Sequence, residues 1–228
     1  MFYFYDYTYI LIVIGAMLSL WASANVNGAL EKYRKVRSSS GLTAAQAAEE
    51  ILHQNGIYDV TVRSISGGHS DYYSPSDKEI CILSENYDST SIASIGVAAH
   101  ECGHAIQDAC GYAPLALQRH IAPVCSLGSS AGIYITIAGI IFSIDPLISI
   151  GIVLFSLGVF ISLLLLPIEY NASNRALAIL EDNGMLKGEE LYGAKKVLRA
   201  AGLTYVAAAA AAVLSLLRLI LLARRNRD

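Results

Sequence analysis

The chain has 228 residues, of which 54% are hydrophobic and only 15% charged. Soluble domains carry about 25% charged residues, so this balance points to lipid contact. The net charge of −3 leaves no basic excess for a nucleic-acid partner, and four irregularly spaced cysteines, Cys81, Cys102, Cys110 and Cys125, form neither a disulfide framework nor a CxxC metal site and read as reduced thiols.

The first element in chain order is an apolar segment from Tyr7 to Ala24, close to the ~20 helical residues that cross a bilayer. Ala22-Ser23-Ala24 has the form of a signal-peptide cleavage site, but Met1 to Asp6 carries an acid and no base. Lys32, Arg34, Lys35 and Arg37 follow directly, and such a cluster resists translocation. The segment is therefore expected to be an uncleaved anchor, with the following loop on the cytoplasmic side.

Thr43 and Gln46 have capping-box form and open an Ala/Glu-rich helix that ends near Asn55-Gly56. Ile57 to Ile65 alternates apolar and polar residues and predicts a strand. The stretch from Gly67-Gly68 to Pro75 is turn-rich, and Glu79 to Ser84 predicts a second short strand. Ser89 to Gln107 then reads as a helix of small apolar residues.

Two further spans, Ala122 to Ile144 and Leu147 to Pro167, form a hairpin whose turn, Ser143 to Pro146, has no basic residue and fits the outside. The region 168–202 carries Arg175, Lys187, Lys195, Lys196 and Arg199 and fits the inside. Leu203 to Ala223 is a fourth apolar segment, interrupted by Arg218, which is costly in a bilayer unless it snorkels or is paired. If it spans, Arg224, Arg225 and Arg227 lie outside, against the charge rule. The expected division is an anchor at 1–24, an inner α+β domain at 25–121, a hairpin at 122–167, an inner helical segment at 168–202 and a transmembrane or interfacial helix at 203–228. The expected fold class is a mainly α, polytopic membrane protein with three or four transmembrane helices and a small α+β zincin-like catalytic domain.

His100-Glu101-Cys102-Gly103-His104 is an H-E-x-x-H motif. On a helix, positions i and i+4 share a face, so both imidazoles can reach one zinc ion at about 2.0–2.1 Å. Glu101 is rotated away from that pair and is placed to take a proton from water as a general base. The flanks Ser94 to Ala99 and Ala105-Ile106 are uncharged, so the helix is expected to be buried. Two buried imidazoles and a carboxylate without partners would cost several kcal/mol, and a metal removes that penalty.

A catalytic zinc ion usually takes a third protein ligand. Asp108, Cys110, His120 and Glu169 are the candidates on the inner side. Gln107 and Cys110 break the metzincin pattern, which needs Gly and His there. Asp108, one turn beyond His104, could instead orient a ligand imidazole. Topology favours Glu169, which follows Pro167 where the third span returns to the side of the motif helix.

The run Val97 to Gln107 and the run Glu169 to Ala176, with Ser70 to Pro75 and Ile82 to Asn86 upstream, resemble the bacterial neutral zinc membrane metallopeptidases of the YugP type, over nearly the whole chain. A more distant likeness is to the membrane prenyl-protein endopeptidases and heat-shock membrane proteases, where an Asp stands at the position of Ser173. The resemblance implies one Zn²⁺ per chain held by His100, His104 and Glu169, with Glu101 as the base and a peptide or protein as substrate. It leaves Asn171, Asp108 or Ser173 to buttress a zinc-ligating histidine. Arg175 is a candidate for holding the oxyanion, or else for an ion pair with Glu181 or Asp182. The strand holding Ile80, Cys81, Ile82 and Leu83 is the expected edge for an extended substrate, with Tyr72 and Tyr73 as candidate subsite residues.

The leading reading is thus a multi-pass cell-membrane endopeptidase with its catalytic domain in the cytoplasm and lipid as its surroundings. Two readings compete: intramembrane proteolysis, and a zinc-stabilised scaffold without catalysis. The later spans hold no internal acid for the first, and a purely structural site has no use for Glu101 in the second. Oligomeric state is not written in the sequence.

Overall fold

The computed structural model describes residues 7–67 and 70–225. The expectations that fall on Met1 to Asp6, Gly68 and Arg227 lie outside the described residues. The element order is α1 (Tyr9–Arg34), α2 (Ala44–Gln54), β1 (Thr61–Ile65), β2 (Tyr72–Ser74), β3 (Glu79–Leu83), α3 (Ser84–Tyr87), α4 (Ile92–Ala109), α5 (Ala113–Phe142), α6 (Asp145–Asp182) and α7 (Glu189–Arg225). The protein is mainly helical, with a small mixed sheet of three strands. The helices α1, α5, α6 and α7 are each long and apolar enough to cross a membrane.

The chain divides into two compact units, and the first comprises the described residues of 1–23, 117–167 and 203–228. Here small residues let helix backbones approach, as is usual between helices in lipid. A Cβ on Gly15 of α1 would meet Ala211 of α7 at 3.2 Å, and the Arg218 guanidinium lies 4.2 Å from the Tyr9 ring centroid. As the α1 position rises from 9 to 15, the α7 position falls from 218 to 211, so the two helices run antiparallel. Likewise Gly132 faces Phe155 and Gly139 faces Ile148, which makes α5 and α6 an antiparallel hairpin. The contact with Tyr9 offsets part of the cost of Arg218.

The second unit comprises residues 24–116 and 168–202. The Thr43 hydroxyl accepts from the Gln46 amide (3.2 Å) and the Gln46 side chain accepts from the Thr43 amide (3.0 Å), which starts α2 as a complete capping box. One face of α2 buries Ala44, Ala48, Ile51 and Leu52. That face packs with Ile80 and Ile82 of β3 and with Ile95, Ala98 and Cys102 of α4. Each fully buried Ile or Leu contributes roughly 1.5–3 kcal/mol, so this interior fixes α4, and with it the H-E-x-x-H motif, against the sheet.

The expected docking edge is overturned. The sheet order is β1-β3-β2, and β3 pairs with β1 in parallel along Glu79 to Leu83 and with β2 antiparallel along Glu79 to Cys81. Ile80, Cys81 and Ile82 are buried, and the Leu83 amide donates to Asp71 (2.8 Å), so the residues Ile80 to Leu83 sit in a central strand with its ladder occupied. An extended substrate cannot add there. The strand that occupies the second side, β2, falls in the stretch expected to be turns. Three residues are too few to show a period of two.

Candidate metal centre

The helix α4 carries His100 and His104 one turn apart, with ring centroids 4.8 Å from each other. From α6, the Glu169 carboxylate oxygen Oε2 lies 3.2 Å from His100 Nε2 and 3.7 Å from His104 Nε2. One ligand atom from each of the three residues lies within 4.8 Å of the others. This approach depends on Gly103, the small residue inside the motif. A Cβ there would lie 2.6 Å from the Ala172 carbonyl oxygen on α6, so only glycine lets the two helices cross this closely.

The far side of each imidazole is also occupied. His104 Nδ1 lies 3.0 Å from Gln107 Oε1, while Gln107 Nε2 donates to the Ile168 carbonyl (2.8 Å) and to Asn171 Oδ1 (3.0 Å). Both of the latter can only accept, which fixes the Gln107 amide with its oxygen toward His104. An amide oxygen cannot donate, so Nδ1 of His104 carries the proton. Its Nε2 is left to face Glu169. Asn171 Oδ1 also accepts from Arg175 Nε (2.8 Å), which completes a relay from α6 back to α4. On the other imidazole, Ser173 Oγ lies 3.1 Å from His100 Nδ1.

The environment sets the charges. For Glu169, burial alone would raise the carboxyl pKa, but hydrogen bonds from His100 and His104 overcome it and hold the group below the usual carboxylate range. For His104, burial opposes the charged form, yet the hydrogen bond to Glu169 leaves its pKa raised. Two imidazole nitrogens and a carboxylate oxygen aimed at one point form the donor set of a catalytic zinc site, so these residues fit a zinc ion. The same side chains can share a proton when no metal holds them apart.

Glu101 lies beside this group and not in it. Its Oε2 accepts from the backbone amide of Tyr73 on β2 (3.0 Å), and burial pushes its carboxyl above the ordinary range. Cys102 faces the opposite way, donating to the Ala48 carbonyl (3.6 Å), and burial raises its pKa too. It is a packing residue.

The remaining candidates are placed as follows. Asp108 accepts from the Tyr73 hydroxyl (2.8 Å) and from Lys78 Nζ (3.0 Å), tying α4 to β2 and the turn that follows it. The position it was expected to fill behind His104 is held by Gln107. Arg175 Nε binds Asn171 and its Nη2 points at Cys110 Sγ (3.7 Å), so neither Glu181 nor Asp182 holds it. Sequence reasoning missed the place of Gln107 behind His104, and it expected Tyr73 only as a subsite residue and not as the partner of Glu101. Gln107 had a legible signal, as a polar residue one turn from His104 on an otherwise apolar helix; Tyr73 was hidden by the shortness of β2.

A family profile described as "Putative neutral zinc metallopeptidase" matches residues 8–224. The chain is 41% identical over 221 residues to a Bacillus subtilis (strain 168) protein named "Putative membrane protease YugP", covering 96% of this chain and 98% of that protein. No solved structure gives a significant match. By the extent of the profile match and of this similarity, the chain belongs to the neutral zinc metallopeptidase family.

Proposed function

We propose that this chain is a membrane-anchored zinc endopeptidase acting on the cytoplasmic side, with one zinc ion held by His100 Nε2, His104 Nε2 and Glu169. The observation that carries this reading is the convergence of those three ligand atoms beside a buried carboxylate that belongs to none of them. Bound there, zinc supplies Lewis acidity, which lowers the pKa of a water molecule toward ~7 and polarises a peptide carbonyl.

The protein's own groups do the rest. Glu101 takes the proton of the attacking water on its carboxylate and passes it to the departing amine nitrogen. The Tyr73 amide holds Oε2 of Glu101, so the carboxylate is oriented before substrate arrives. Gln107 and Ser173 orient the two imidazoles, and Asn171 and Arg175 hold Gln107 in place. Arg175 is on this reading a positioning residue; its Nε is already engaged on Asn171.

Metal analysis and peptide hydrolysis by the purified full-length protein test the proposal. Glu101→Gln should keep one zinc per chain and lose at least about a hundredfold in turnover, the scale of a general base. Glu169→Ala should lose the metal itself on passage through a chelator. Turnover by Glu101→Gln close to wild type would refute the base assignment. Full zinc retention by Glu169→Ala would move the third ligand elsewhere.

A further inference from the structure

Within the second unit, a cavity of about 420 Å³ opens beside Glu169, between the stretch of α6 that carries Glu169 and the start of α7. From α6 it is lined by Glu169, Ser173, Leu177 and Glu181, spaced four residues apart and so forming one stripe. At 1.5 Å per residue that stripe is ~18 Å long, the reach of about five residues of extended peptide at ~3.3 Å each. It begins at a proposed zinc ligand and at the Ser173 that touches His100.

The facing wall of the cavity is cationic. Lys195 and Arg199, one turn apart on α7, both line it, and neither makes an ion pair with an acid of the described residues. Their neighbour Lys196 is turned to the Tyr192 ring instead. Gly202, one further turn along α7, also lines the cavity, and a Cβ there would meet nothing within 4 Å. Of the acids in the groove, Glu169 is engaged by the two histidines, which leaves Glu181 at the far end against two cations. A groove of peptide length with a surplus of unengaged positive charge near the reacting centre calls for a carboxylate on its occupant.

We infer that this groove is the substrate subsite on one side of the scissile bond, and that Lys195 and Arg199 select peptides bearing a carboxylate there, from an acidic side chain or a free C-terminus. The inference rests on the endopeptidase reading and adds to it the chemical class of the substrate. Lysine and arginine attract the carboxylate over the amide of the same shape, so discrimination appears between Glu and Gln, where size is constant.

The test uses the full-length zinc-loaded protein in detergent and paired fluorogenic peptides, Glu against Gln at each position and C-terminal acid against C-terminal amide. Wild type should favour the acid member of one pair about tenfold in kcat/KM. Lys195→Glu/Arg199→Glu should abolish or reverse that ratio, and Gly202→Leu, which fills the groove without changing charge, should lower kcat/KM for both members. Which pair responds separates a side-chain carboxylate from a terminal one. An acid-to-amide ratio that is the same in wild type and the reversed variant overturns the inference. So does a reversed variant that loses only its affinity for nanodiscs of anionic phospholipid, since the cations would then serve a headgroup. Binding of the same pairs to Glu101→Gln, read by fluorescence anisotropy, keeps the two readings apart. Charge-selective binding without turnover by wild type would sink the protease reading alone, and turnover without charge selection would sink the subsite alone.

Discussion

At the scale of single residues, the centre depends on protons placed before any metal arrives. Gln107 is completely buried and spends all its polar atoms on three partners. Replacing it by leucine keeps an apolar core residue but leaves the His104 Nδ1–H without its acceptor. A buried unsatisfied donor costs about 1–3 kcal/mol, and loss of an orienting partner typically weakens a metal site 10–100-fold. Gln107→Leu is therefore expected to raise the zinc dissociation constant by at least about tenfold, measured by competition with a chelator. A variant with a lowered melting temperature but an unchanged zinc affinity would show that Gln107 only packs. Here the sequence was legible to different depths. His100, Glu101 and His104 stand in one five-residue motif whose spacing is dictated by the helix, and Glu169 could be favoured by topology, because it follows Pro167 where the third span returns to the side of the motif helix. Gln107 is marked in the sequence only by its place one turn from His104, and Tyr73 acts on Glu101 through a backbone amide, which no side-chain pattern records.

At the scale of elements, the centre is a crossing of two helices, and its geometry is set by what is missing from Gly103. Helix propensity by itself favours alanine over glycine by about 1 kcal/mol in a helix interior. In this position the added Cβ would sit 2.6 Å from the Ala172 carbonyl oxygen, a backbone atom that no rotamer change can move. Forced overpacking of this kind costs typically 1–3 kcal/mol, which outweighs the propensity gain. It would also carry Glu169, three residues before Ala172, away from the imidazoles. Gly103→Ala should thus lower both the melting temperature and the zinc affinity; a rise in melting temperature would mean that the crossing is loose. The same scale explains the corrected docking edge. The short run from Glu79 to Ser84 predicts a strand, but a strand prediction does not by itself name the strands it pairs with. The buried run Ile80-Cys81-Ile82 is the mark of a strand covered on both faces, as a central strand is.

At the scale of the whole molecule, the sequence left the fourth apolar segment in conflict, since its apolar length argued for a span while Arg218 and Arg224 argued against. The pairings of Tyr9 with Arg218 and of Gly15 with Ala211 bear on that conflict, because they set α7 alongside α1 in the opposite direction. If α1 crosses, a helix packed along it turn for turn crosses as well, and Arg218 then lies at the level of Tyr9 near one interface, where an aromatic ring and a guanidinium are both well placed. If Lys32, Arg34, Lys35 and Arg37 hold the far end of α1 inside, as the positive-inside rule expects, the level of Tyr9 is the outer one. Arg224 then faces outward, and the charge rule is obeyed at the end of α1 and in the region 168–202 but broken after α7. Epitope insertions at Ser143, at Lys187 and directly after Arg224 decide this in right-side-out spheroplasts treated with protease. Tags at Ser143 and after Arg224 should be digested while the tag at Lys187 survives until the membrane is broken. Protection of the tag after Arg224 would show that α7 does not cross, and digestion at Lys187 would place the metal centre on the outer side.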